Sequence, residues 1–421
     1  MAREYKDSGI EWIGQIPKEW ECTCFKRFHN DANVGESIDK YFCSDNENDT
    51  LFYTAGLKPI HTTYKDFPTW KYTSNNDLLL ARNGTPYVYL PLPESIYSDH
   101  IIRVGIKEKY IREYARYCIQ QAISFVVVDA VSIATWSISL WDKQFLPIPS
   151  LHEQQKIADY LDKICGEVDE MVALQETMIE ELKAYKQSVI TEAVTKGLNP
   201  NIPMRNSGID WIGDIPEHWG IQRLKTLGWT QNGISQSGDY FGEDYEYPFI
   251  SYSDAYKNYS LPYPSGRANS SEEDRQKYSL IEGDVLFTRT SETIEEIGFA
   301  STCIETIPNV VYSGFLIRFR PTSEKLFKGF SKYYFRSQVH RAYFVKQMNI
   351  VTRASLGQDL LKNLVVLLPP IDEQHSIASY LDTKCSEIDS LIALKQAKIE
   401  ELKEYKKSVI YEYVTGKKEV I

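Results

Sequence analysis

EQQKIADYLDKICGEVDEMVALQETMIEELKAYKQSVITEAVT, residues 153–195, contains no proline and a single glycine, Gly166, and is rich in strong helix formers. It recurs at residues 373–415, where 25 of the 43 aligned positions are identical, far beyond what shared helical composition produces. At 1.5 Å per residue such a helix is roughly 60 Å long, longer than a small domain is wide. It therefore needs a partner along its length.

In the first copy Ile157, Leu161, Ile164, Val168, Met171, Met178, Leu182, Tyr185 and Val189 step by four and three, interrupted at Gln175. That spacing is a heptad seam. The second copy keeps Ile377, Leu381, Ile388, Leu391, Leu402, Tyr405 and Val409 but places Lys384, Lys395 and Lys398 between them. Each stripe finds its natural partner in the other copy, which predicts an intramolecular antiparallel coiled coil. The alternative is two separate helices, each packed on its own domain.

Working outward, the globular parts are duplicated too. SGIEWIGQIPKEWECTCFK at 8–26 returns as SGIDWIGDIPEHWGIQRLK at 207–225. In both, Trp-Ile-Gly forms a tight apolar turn, and Ile-Pro leads to Trp20 or Trp219, each expected to anchor on a core. DLLLARNG at 77–84 and DHIIRVGI at 99–106 read as strands, and 108–126 as a core-facing helix. Their counterparts are GDVLFTRT at 283–290, SGFLIRFRP at 313–321 and a helix over 328–348. The offset between copies grows from 199 to 220, so insertions fall in loops: one fold, two different surfaces. The expected class is α+β, with α/β globular parts at 1–150 and 198–370 and helices at 151–197 and 371–421. Proline turns, LPIPSLHEQ at 146–154 and LPPIDEQ at 368–374, close each globular part before its helix, with Glu153 or Glu373 in the first turn where the dipole favours an acid.

A chain of 421 residues with ordinary apolar and charged fractions can bury real cores. No apolar run reaches the 18 residues of a membrane span, and MAREYKDSG at the start lacks an apolar signal region, so a cytoplasmic location without membrane partners is expected. Of the net charge of −11, the two repeat stretches carry −6 and −2, leaving near-neutral globular parts with room for basic patches. The seven cysteines include no CxxC pair, and Cys165 and Cys385, equivalent on the two helices, read as small packing residues.

Chemistry is sparse. HEQQK at 152–156 starts like a zinc-peptidase helix, but Lys156 stands where the second histidine is needed. There is no GxxxxGK[ST] loop, no glycine-rich turn after a strand, and LPPI at 368–371 lacks the polar and aromatic ends of an amino-methyltransferase loop. Catalytic residues, metals and cofactors are therefore not expected in this chain. Turns rich in aromatic, amide, hydroxyl and arginine groups point instead to binding of double-stranded DNA, where Arg and Asn read base edges while Lys, Ser and Thr grip phosphates. The candidates are Lys58, Lys65, Arg82, Asn83 and Thr85 in the first globular part, and Ser253, Lys257, Arg267, Arg289, Thr290, Ser291 and Arg353 in the second. A coiled-coil scaffold that binds no DNA is the competing reading.

The duplicated Trp-Ile-Gly…Ile-Pro…Trp segment, the Pro-x-x-x-Glu-Gln turn (Pro149 to Gln154 and, shorter, Pro370 to Gln374), the Ile-Ala-x-Tyr-Leu-Asp helix start and the Ile-Glu-Glu-Leu-Lys-x-Tyr-Lys-x-Ser-Val-Ile helix end together resemble the specificity subunit of type I restriction-modification systems. The resemblance covers nearly the whole chain. It implies two target recognition domains reading the halves of a bipartite, asymmetric DNA sequence, spaced by the paired helices. It also implies two modification subunits binding S-adenosylmethionine and methylating adenine, and two motor-nuclease subunits using ATP and magnesium. Glu153, Gln154, Glu373 and Gln374, beside the acidic helices, are the residues expected to dock the modification subunits.

Overall fold

The computed structural model describes residues 3–126, 135–235, 240–291, 297–340, 343–344 and 354–420. The chain divides into two units, residues 1–176 with 397–421, and residues 177–396. Both repeat stretches are single α-helices, Leu151–Lys196 of 46 residues and Ile371–Val414 of 44. Each unit thus holds one globular part, the start of the helix that follows it and the end of the other long helix.

In the first unit a four-stranded antiparallel sheet runs in the order His29–Val34, Ile101–Ile106, Asp77–Ala81, Val88–Tyr89. The second unit repeats it as Gly228–Asn232, Leu316–Pro321, Val285–Thr288, Ala300–Thr302. A smaller sheet accompanies each, containing a parallel pair: Ile96–Tyr97 on Thr50–Tyr53, and Val311–Tyr312 on Tyr247–Ile250. The expected first-part helix is Arg112–Ile123, with Tyr114, Cys118 and Ile119 buried. Its counterpart is Lys328–Tyr334, shorter than the expected 328–348, part of which lies outside the described residues.

Among the described residues two apolar clusters in each unit bind these elements together, and the larger one of each unit takes in the long helices. In the first, Trp20, Phe25, Leu80, Val104, Tyr114 and Trp141 pack with Ile157, Leu161 and Cys165 from the start of one long helix and Val409 and Val414 from the end of the other. In the second, Trp219, Phe287, Phe319 and Tyr334 pack with Ile377, Leu381 and Cys385, and with Ile190, Ala193 and Val194. Buried tyrosines reinforce the joints: Tyr117 donates to Asp162 at 2.7 Å, and Tyr333 to Asp382 at 2.7 Å. Burial first, and then the adjacent carboxylates, push both phenols well above their ordinary pKa, so they remain donors.

Within each unit the two long helices run antiparallel. Tyr160 meets Tyr413 and Asp169 pairs with Lys406 at 2.7 Å in the first; Lys186 pairs with Asp389 at 2.6 Å and Lys395 Nζ lies 3.3 Å from Met178 Sδ in the second. The coiled coil is therefore present, and its covered face includes most of the expected seam. Ile157, Leu161, Ile164, Val168, Met178, Leu182 and Val189 are buried or half-buried as expected, Cys165, Val172, Gln175, Ile179 and Lys186 join them, and Met171 and Tyr185 are exposed. Gln175 is thus a seam residue rather than a gap. Its equivalent is Lys395, also half-buried; Lys384 is half-buried too and Lys398 is exposed, and these two pair with Glu387 and Glu401 on their own helix. Of the three lysines expected to interrupt the stripe, Lys395 is the one whose head group reaches the other long helix, at Met178. Replacing it, Lys395→Leu, is expected to raise stability by about 1 kcal/mol through added apolar burial, read as a higher guanidinium midpoint at unchanged slope.

Candidate functional site

The strand Asp77–Ala81 is buried along its whole length, and the chain leaves the sheet immediately after it. Arg82 is the first residue out. Its backbone N–H donates to His100 O at 2.8 Å, and its own carbonyl accepts from Trp136 N at 2.7 Å. Arg289 leaves Val285–Thr288 in the same way: its N–H donates to Phe315 O at 2.9 Å, and its carbonyl accepts from Leu356 N at 2.7 Å. Two arginines thus occupy matching positions on matching sheets, each with its backbone held from both sides.

Their surroundings differ. Arg82 is exposed and reaches Asp99 O with Nη1 at 3.3 Å, while Asn83 Oδ1 lies 3.1 Å from Nδ1 of the exposed His100. Thr85 is exposed in the same turn. Arg289 is half-buried, Thr290–Ser291 pairs with Ala354–Ser355, and Phe315, 60% exposed, stands where the first unit has His100. The sequence pattern missed His100 and Phe315 because both precede strands whose apolar alternation drew attention; the shared offset of 215 is the signal that pairs them.

The remaining candidates scatter. Lys58 is exposed on the loop between Thr50–Tyr53 and Ile60–Thr62, a loop tied to the main sheet by Tyr89 Oη donating to Gly56 O at 2.9 Å. Lys65 is exposed beyond that hairpin. Ser253 and Lys257 are exposed on the short helix Tyr252–Lys257, which Arg336 pins through the carbonyls of Ala255 and Asn258. Arg267 is half-buried, and its Nη1 donates to Pro264 O at 2.9 Å and Gly266 O at 3.2 Å, within its own turn. Arg353 lies outside the described residues, as does the environment of the Ser291 side chain.

In the Glu-Gln turns the glutamines are buried and the glutamates half-buried. Gln154 is 1% exposed, accepting from Ile111 N and donating to Pro149 O; Gln374 is wholly buried, accepting from Phe327 N and donating to Lys325 O and Pro369 O. Neither amide faces outward, so both latch a helix start to its own globular part. Glu153 accepts from Trp20 Nε1 at 2.9 Å and from Arg3 at 2.6 Å; Glu373 accepts from Trp219 Nε1 at 3.1 Å and from His218 at 2.9 Å. Burial opposes the charge on Arg3, but its hydrogen bonds to Glu153 and Glu19 prevail and hold its pKa above the usual value. We expect Gln374→Ala to cost about 1–3 kcal/mol, and Gln154→Ala less within that range because fewer groups lose a partner, as measured by chemical denaturation.

Comparison with known proteins agrees with this architecture. A family profile described as "Type I restriction modification DNA specificity domain" matches residues 216–404. The chain is 27% identical over 264 residues to the type I restriction enzyme EcoKI specificity subunit of Escherichia coli (strain K12), covering 59% of this chain and 53% of that protein. It is 25% identical over 365 residues to the type I restriction enzyme MjaVIII specificity subunit of Methanocaldococcus jannaschii, covering 82% and 79%. It thus spans about half the length of the first relative and most of the second. Its fold is similar to a chain from a solved structure of a type I R-M system, with a TM-score of 0.70 at 16% identity, over 95% of this chain and 98% of that one. Among the described residues no helix is long and apolar enough to cross a membrane.

Proposed function

We propose that this chain, which belongs to the type I restriction-modification specificity subunits, reads a bipartite, asymmetric DNA target, one half with each globular part. It carries no catalysis of its own. The long helices set the distance between half-sites, with equivalent groove faces about 34 Å apart per turn of B-DNA. They also present the chain to two modification subunits, which bind S-adenosylmethionine and methylate adenine, and two motor-nuclease subunits using ATP and magnesium join for restriction.

The observation that supports this reading best is the pair of arginine loops. Duplicated sheets deliver Arg82 and Arg289 at the same register, yet flank them with Asn83, Thr85 and His100 in one case and Thr290 and Phe315 in the other. Two readers of one design with unlike tips suit two unlike half-sites. Arginine can bridge the major-groove edge of guanine, and amides that of adenine, while Lys58, Lys65, Ser253 and Lys257 supply phosphate contacts.

Methylome sequencing of cells with and without the chain tests this directly: a two-part adenine-methylated motif disappears with the chain. Filter binding of the assembled complex to DNA at two salt concentrations gives the complementary result, a steep fall in affinity as phosphate contacts are screened. Unchanged methylation together with no salt-dependent binding would establish a protein scaffold instead.

A further inference from the structure

We propose that His100 is a positioning residue of the first globular part, fixing the side-chain amide of Asn83 in the orientation that reads an adenine edge, an assignment that rests on the DNA recognition proposed above.

Its placement follows from strand pairing. Ile101–Ile106 runs antiparallel to Asp77–Ala81 with Ile101 opposite Ala81, so the residue entering one strand stands beside those leaving the other. His100 is thereby delivered to the turn of Arg82 and Asn83. That turn is held from behind: Arg82 N donates to His100 O, Trp136 N donates to Arg82 O, and Trp136 Nε1 donates to Gly84 O at 2.7 Å. Asn83 also forms a bridge to Thr135. Trp136 is buried, so the frame is anchored in the core while its tip stays accessible, with the His100 side chain 57% exposed.

On this frame Nδ1 of His100 lies 3.1 Å from Asn83 Oδ1. An amide oxygen only accepts, so Nδ1 carries the proton. Asp99 Oδ1, 4.0 Å from Nε2, is beyond hydrogen-bond reach. An unrestrained carboxamide rotates and exchanges its oxygen with its nitrogen; here rotation would set an N–H against an N–H. Oδ1 has two lone pairs, of which His100 takes one. The other remains beside the Nδ2 donor. An acceptor next to a donor complements the N6 amino group and N7 of adenine in the major groove, and mismatches guanine, whose edge carries two acceptors.

The second globular part keeps the frame and lacks the couple. Leu316 stands opposite Thr288, Arg289 N donates to Phe315 O, Leu356 N donates to Arg289 O, and Thr290 pairs with Ser355 as Asn83 does with Thr135. Thr290 and Phe315 occupy the tip positions, and a phenyl ring has no N–H to give. The same backbone turn therefore forms without a bond between those two side chains. What the bond in the first part adds is the orientation of an amide.

The test uses the assembled complex carrying the full chain as wild type, His100→Ala, His100→Asn or His100→Gln, bound to DNA libraries randomised in one half-site at a time. The amide nitrogen of asparagine falls near the position of Nδ1, and that of glutamine near Nε2. His100→Ala is expected to lower the preference for adenine at one position of one half-site by about 10-fold, within the discrimination that a bidentate contact supplies. Reading of the other half-site stays as in wild type, which also shows that the variant is folded. His100→Asn restores most of the preference and His100→Gln does not. An adenine preference untouched by His100→Ala, or a loss spread evenly over all sequences, overturns the assignment. Restoration by glutamine instead of asparagine also overturns it, since the ring would then touch the base through Nε2. Absence of any two-part preference in the wild-type complex would refute DNA recognition itself, and this assignment with it; the three preceding failures leave DNA recognition standing.

Discussion

Trp20→Ala should destabilise the first unit by about 3–5 kcal/mol, and Trp219→Ala the second by a similar amount, the largest effects expected of any single substitution outside a catalytic site. Both indoles are 1% exposed and sit where three parts of the chain meet. Each donates its N–H to the first-turn glutamate of the long helix that follows its own globular part, at 2.9 Å for Trp20 and 3.1 Å for Trp219. Each ring also supports the glycine that ends the other long helix: a Cβ on Gly416 would stand 2.9 Å from Trp20, and one on Gly197 3.3 Å from Trp219. Truncation therefore opens a cavity, takes a donor from a half-buried carboxylate and releases a helix end together. Thermal unfolding should show it as a drop of several degrees, with hydrogen exchange accelerating first at residues near 153 and 414 for Trp20→Ala. A midpoint within a degree or two of wild type would mean that the tryptophans only fill space. Glu153→Gln separates the contributions, since it keeps the packing and removes only the charge.

Arg82→Ala and Arg289→Ala should each weaken recognition of one half-site by about 1–3 kcal/mol and leave the other unchanged, a loss of up to about two orders of magnitude in cognate affinity. The expectation follows from the matching backbone restraints on the two residues and from their unlike neighbours. Binding of the assembled complex to DNA libraries randomised in one half-site at a time would read it. If both substitutions alter the same half, the assignment of one reader to each globular part is wrong. If each lowers affinity uniformly across all sequences, the arginines contact phosphate, and the salt slope should fall by about one for each.

How much of this was legible beforehand differs from element to element. The duplicated strands and the long helices were readable because apolar alternation and heptad spacing are local properties, and because each was written twice. At alternate positions the covered face extends one residue beyond the expected seam. Ile164 and Cys165, Met171 and Val172, and Met178 and Ile179 offer two adjacent stripes of similar hydropathy, so periodicity alone does not choose between them. The globular cores chose: they close over Cys165, and the antiparallel pairing within each unit then carries the rotation along the helix.

The Glu-Gln turns show the same division. Their repetition marked them as important, but their partners, Trp20 and Ile111 for one, Trp219 and Phe327 for the other, lie between 43 and 154 residues away. Arg336 was no more readable. On its own stretch it is one more basic residue, yet it is half-buried, with four backbone carbonyls from residues 255–258 and 300 converging on it.

The sequence by itself determined the duplication, the element order, the antiparallel partnership of the helices and the two arginine-tipped turns, since each rests on patterns within a few turns of chain. Only the tertiary structure decided which helix face is buried, that the Glu-Gln pairs latch inward, and that the Asn83 amide meets the His100 ring. Those outcomes depend on which distant groups arrive at the same place, and hydrogen bonding and close packing act between neighbours in space, whatever their separation along the chain.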